Sequence, residues 1–195
     1  MANYNISKIV SAPGWLYKNP TGVTSSSQYG TVLGFTEGGI VLRGNHRTRP
    51  INAEEFGSEE VDSIDLGCSW KLYVSLKQWD DNTIQVAFPG DQTATGGTSS
   101  KQFYQYPGTG TTYYPGVKRS SLAAEFLFVP EDTTNYPIAY IAQGVPRIAP
   151  DAQMAFTQQR ELMLDVVIDC YRNETISGSA YRGVYVGDIT DVTLA

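Results

Sequence analysis

Residues 68–77 alternate between apolar and polar positions. Cys68, Trp70, Leu72, Val74 and Leu76 fall on one side, and Ser69, Lys71, Tyr73, Ser75 and Lys77 on the other. A period of two marks a strand with one buried face, so this run predicts a half-buried β-strand with Cys68 and Trp70 in its core row. A longer alternation spans residues 160–171. There Leu162, Leu164, Val166, Ile168 and Cys170 face one way, and Glu161, Met163, Asp165, Val167, Asp169 and Tyr171 the other. Shorter apolar runs at 38–42, 122–129, 137–143 and 181–189 read as further strands.

Between these runs the pattern predicts punctuation. Residues 1–30 hold Ile6, Ile9, Val10, Trp15, Leu16 and Tyr17 around a Pro13-Gly14 turn, then a Ser-rich stretch. This predicts an arm or edge strand followed by a loop. Residues 44–60 carry Arg47 and Arg49 followed by Glu54, Glu55, Glu59 and Glu60, and predict a charged loop suited to pairing with a second chain. Asp80-Asp81-Asn82 offers an N-cap to a short helix over 83–88 that Pro89-Gly90 stops. Residues 91–116 are Gly, Thr, Ser, Gln and Tyr with almost no aliphatic side chain, which predicts a surface insertion.

Composition agrees with a mainly β chain. Aromatics reach 12% with 13 tyrosines, and charged residues are only 17% of the 195 positions, a balance that favours strands over amphipathic helices. At this length one core buries roughly 70% of the unfolded surface, so 1–195 reads as one domain. The start MANYNISKIV matches neither a signal peptide nor a membrane span. The expectation is a chain made in the cytoplasm, with Cys68 and Cys170 as reduced, inward-facing thiols. A net charge of −6 disfavours a surface that grips nucleic acid by neutralising phosphates.

Candidate chemistry is sparse. His46 is the only histidine, and one histidine makes neither a metal centre nor a Ser-His-Asp arrangement. The Gly108-Thr-Gly110 run has no strand-to-helix setting or P-loop lysine. The residues therefore predict a protein that is not an enzyme and holds no cofactor or metal.

One ordered set of features points further. Gly34-Phe35-Thr36-Glu37-Gly38-Gly39-Ile40-Val41-Leu42 is followed by the charged span, then by Val61-Asp62-Ser63-Ile64-Asp65-Leu66-Gly67, an alternating strand and a short helix. Over residues 35–88 this arrangement resembles the N-terminal half of phage tail tube proteins, the major tail protein family. The later strands match in general character, and the 91–116 span is longer than the family's usual connection.

The resemblance implies a β-sandwich or partly closed barrel with one short helix and long surface loops, assembled as a virion structural protein. Copies form homohexameric rings that stack into a hollow tube. Double-stranded DNA passes through it without specific binding. Neighbours would be sheath, tape-measure and baseplate or terminator proteins, with no membrane involved. On that expectation Arg47, Arg49, Glu54, Glu55 and Glu59 form a ring-stacking loop. Glu125, Asp165 and Asp169, placed opposite apolar faces, are candidates for the lumen wall, where negative charge keeps phosphates from adhering. Two other classes fit the same residues. A carbohydrate-binding β-sandwich would stack Tyr104, Tyr106, Tyr113 and Tyr114 on sugar rings. Another virion or contractile-machine part, such as a tail terminator or secretion tube, shares the composition.

Overall fold

The computed structural model describes residues 12–52, 60–78, 80–87, 92–94, 103–105, 122–150, 152, 163–173 and 183–191. In chain order these form β1 (Gly14–Lys18), β2 (Thr31–Asn52), β3 (Glu60–Leu76), α1 (Asp81–Ala87), β4 (Gln92–Ala94), β5 (Phe103–Gln105), β6 (Ala124–Pro130), β7 (Ile138–Ile148), β8 (Leu164–Cys170) and β9 (Val184–Gly187). Short 3-10 turns lie at Ser26–Gln28 and Ile189–Asp191. The protein is mainly β with very little helix, as its alternations predict.

Seven strands make one antiparallel sheet in the order β6-β1-β2-β3-β8-β7-β9, and β6 also pairs with β7. Hydrogen bonding therefore runs from β6 through β1, β2, β3, β8 and β7 back to β6. The result is a ring-like sheet, not a regular barrel. The apolar rows point into it: Leu72, Val74 and Leu76 of β3, Leu164, Val166 and Ile168 of β8, and Phe126 and Phe128 of β6 join Leu16, Leu33 and Ile141 in one buried cluster. The register explains the match, because Leu72 stands opposite Ile168 and Val74 opposite Val166. Partners across a ladder share a face.

The helix closes this core. Asp80 caps it as predicted, its Oδ1 accepting from the Thr83 backbone N–H at 2.8 Å. Thr83 Oγ1 donates to the carbonyl of Leu33, which ties the first turn to β2. Ile84, Val86 and Ala87 are buried beneath.

A second cluster lies on the other side of the β6–β7 pair. Leu127, Val129, Ile138, Tyr140 and Ala142 are covered there by Val23, Tyr17, Tyr29, Tyr185 and Ile189. Much of 12–30 thus serves as a cover for this wall, which explains why β6 and β7 read as continuous apolar runs: both their faces are buried.

One expectation is corrected. The span 44–60 is not a loop along its described length, since β2 continues to Asn52 and β3 starts at Glu60. Within 91–116, β4 and β5 pair as a small two-stranded sheet. The remainder of that span, with Tyr106, Tyr113 and Tyr114, lies outside the described residues.

Candidate assembly ribbon and its neighbouring clefts

Globular strands usually run 3–10 residues, yet β2 has 22 and β3 has 17. Their shared ladder extends from Thr36 opposite Leu76 to Asn52 opposite Glu60. Pairing with β1 ends at Thr36, and pairing with β8 starts only at Trp70. Beyond those points, among the described residues, each strand has only the other as partner. A two-stranded ribbon therefore projects from the body by roughly 30 Å, from the ordinary rise of a strand.

The ribbon is exposed on both faces. All described side chains of 43–51 and 62–71 are exposed, including Ile51, Ile64 at 49% and Leu66 at 60%. This overturns the assignment of Cys68 and Trp70 to the core: Cys68 is exposed and Trp70 is 38% exposed. They do continue the row of Leu72 and Val74, but the β3–β8 pairing ends with Trp70 opposite Cys170, so Trp70 stands at the rim of that sheet and Cys68 beyond it. Trp70 instead lies over Gly44, where a Cβ would come within 2.7 Å of its indole. Only glycine permits that contact.

One face of the ribbon is basic. Arg43, Arg47 and Arg49 stand at even spacings on β2 and therefore share a face, with Lys71 directly opposite Arg43. The Arg43 guanidinium also sits 4.8 Å from the centre of the Tyr73 ring. The other face brings together groups far apart in sequence. His46 is opposite Cys68, and its Nε2 lies 3.2 Å from Oδ2 of Asp65. Between the two halves the ladder shifts at Arg47/Thr48, leaving Leu66 as the extra residue of a bulge. Gly67 supplies the left-handed φ of +98° that the bulge needs, and its N–H donates to Asp65 Oδ1 at 2.7 Å.

Arg47 and Arg49 are thus exposed strand residues, not loop residues. Glu54, Glu55 and Glu59 lie outside the described residues. The three candidate lumen acids point away from the main core, as expected, but none is freely solvated. Asp165 accepts a hydrogen bond from Ser75 Oγ, a neighbour set by their cross-strand register. Asp169 Oδ2 accepts from Arg147 Nε at 3.1 Å, with only 16% of its side chain exposed. Val167 between them is fully buried, so that face is covered at its centre. Glu125 accepts from Tyr140 Oη at 3.0 Å. Burial pushes its carboxyl above the usual range, and the Tyr140 bond opposes the shift.

Two clefts flank the ribbon's body. A small one of about 240 Å³ is lined by Asn19, Glu125, Gln143 and Asn173. A larger one of about 390 Å³ lies at the root of the ribbon and is mostly apolar, with Ile40, Leu42, Phe128 and Ile138 in its wall. No helix among the described residues is long and apolar enough to cross a membrane. No family model matches the chain, and no curated protein matches its sequence.

Proposed function

We propose that this chain is a structural subunit of a phage tail tube, forming hexameric rings that stack into a conduit for double-stranded DNA. The observation that carries this reading is the projecting ribbon. An isolated two-stranded ribbon is marginal in water, and one with open edges and exposed Ile51, Ile64 and Leu66 is a template for another chain. A second copy suits it: the ribbon offers a basic face, whereas the chain as a whole carries −6, so ribbon and neighbouring body are complementary in charge. Repetition around a ring turns weak contacts into a stable stack.

In this reading Arg47 and Arg49 meet carboxylates of the adjacent ring. Sheath, tape-measure and baseplate or terminator proteins are the further proposed partners. Although that face is covered at its centre by the packing over Val167, its part-exposed acids Asp165 and Asp169, held by Ser75 and Arg147, are proposed to turn toward the passing DNA. Negative-stain microscopy of concentrated purified protein tests the reading, with regular hollow rods as the expected result. Particles that stay monomeric at millimolar concentration, together with binding to immobilised oligosaccharides, would replace it with the carbohydrate-binding reading.

A further inference from the structure

One face of the ribbon and one cleft of the body match in both polarity and charge. On the ribbon, Arg49 stands opposite Ile64 and Ile51 opposite Asp62. Ile51 and Ile64 are therefore diagonal neighbours on the face that also carries Arg47 and Arg49. Both isoleucines are exposed, at 42% and 49%. That face presents an apolar pair beside two guanidinium groups, with Asp62 as its one carboxylate among the described residues.

The cleft at the ribbon's root is the reverse. Ile40, Leu42, Phe128, Ile138 and Val186 line a space of about 390 Å³, and its rim is open at Val41 and Val186. The segments that form its wall add negative charge: Pro130 leads into Glu131 and Asp132, and Val186 is followed by Asp188. Neither 130–139 nor 184–191 contains a lysine or arginine. A side-chain hydrogen bond from Asn135 holds the Asp132 carboxyl below the usual carboxylate range, and the Thr190 backbone N–H does the same for Asp188. The ribbon does not serve the cleft of its own chain. Ile51 lies roughly 35 Å along β2 from Ile40 by the ordinary rise of a strand, and the ladder is paired from Ile40 to Asn52, which keeps the two apart.

We propose that this cleft is the seat for the ribbon of a second copy, with Ile51 and Ile64 covering its apolar floor and Arg47 and Arg49 meeting Glu131, Asp132 and Asp188. The inference rests on the reading of the ribbon as a self-assembly element and adds the surface that receives it. Apolar burial supplies attraction, and the opposed charges fix the register. The contact joins two different surfaces, so each copy keeps a free ribbon at one end and a free cleft at the other. Such a contact either closes into a ring or continues as a filament.

The test uses the full chain in a Cys68→Ser background at low salt, where exposed charges act over more than about 10 Å. One preparation carries Ile64→Cys. A second, isotopically labelled, carries either Val186→Cys or Ser25→Cys, the latter an exposed position in the loop at the far end of β1 from the cleft. Under mild oxidation the 64–186 disulfide between unlike chains is expected to form roughly tenfold faster than the 64–25 disulfide, read by peptide mass spectrometry. Arg47→Glu with Arg49→Glu on the first chain should slow it severalfold, and Glu131→Lys with Asp188→Lys on the second should recover most of the loss. These four positions are exposed, so each variant is expected to unfold thermally as its parent does. Equal rates for the two pairs, or a slowed rate that the second reversal does not recover, would overturn the seat. Sedimentation velocity of the unaltered chain separates this from the reading beneath it. Association without selective 64–186 linkage leaves the ribbon as an assembly element and removes the cleft as its seat, whereas a chain that stays monomeric at millimolar concentration removes both.

Discussion

Two cysteines that occupy equivalent places in two alternating runs end in opposite environments. Cys170 is partly buried, and burial pushes its thiol up to about 12, with a backbone hydrogen bond from Leu72 opposing the rise and the nearby Asp169 carboxylate adding to it. At pH about 8 only about one in ten thousand such thiols is ionised, and the thiolate is the reactive form. Cys68 is exposed on the ribbon. Alkylation of the native chain should therefore modify Cys68 and spare Cys170 until denaturant is added, as peptide mass mapping would show. Glu125 permits a second prediction at this scale. Its carboxyl is raised chiefly by burial, so the unfolded chain gives up that proton more readily than the folded one. Its contribution favours folding below the ordinary carboxylate range and is lost as pH rises through the folded value. Glu125→Gln, which keeps an acceptor for Tyr140, should thus gain stability relative to the parent as pH rises above the ordinary carboxylate range in urea titrations. A variant that instead loses ground over that range would show that the ionised carboxylate is the form the fold prefers.

At the scale of elements, the short helix and the long ribbon are made by opposite means. The helix α1 has only seven residues, too few to be stable alone, so it depends on its cap and on burial of Ile84, Val86 and Ala87. Asp80 Oδ1 accepts from the Thr83 N–H at 2.8 Å, and the single Thr83 hydroxyl proton serves the Leu33 carbonyl. Asp80→Ala should cost about 0.5–2 kcal/mol in denaturant titration, and a loss near zero would mean that packing alone sets the helix. The ribbon has no such local anchor. Its ladder, its bulge at Leu66-Gly67 and the contact of Trp70 with Gly44 keep it extended, while its surface stays open to a partner.

For the whole molecule, the exposed basic face of that ribbon is the feature that asks for assembly. Reversing Arg47 and Arg49 to Glu changes no buried position, so thermal unfolding should be unchanged while tubes fail to form. One exposed ion pair is worth only about 0–1 kcal/mol, and the expected effect rests on repetition around each ring. Assembly of the unaltered chain should weaken as salt rises past about 0.1 M, where the screening length falls to about 10 Å. Long tubes from the double variant at low salt would remove the ribbon's charges from the stacking contact.

The sequence by itself determined which side chains share a strand face and where the helix is capped, because both depend on neighbours within a few residues. Leu72, Val74, Leu164, Val166 and Ile168 are buried as their period of two implies, and Asp80 caps α1 as its position implies. Only the tertiary structure decided where a face stops being a core. Cys68 and Trp70 obey the same alternation as Leu72, but β8 runs beside β3 only from Trp70 onward, and burial is a property of what lies alongside. The same reason hid the ribbon. Residues 44–52 are polar enough to read as loop, yet they pair residue by residue with a strand that follows them, and a ladder partner is not written in local composition. The neighbours of Glu125, Asp165 and Asp169 were equally out of reach. Tyr140, Ser75 and Arg147 come from other strands, and only the register of the folded sheet sets them beside those carboxylates.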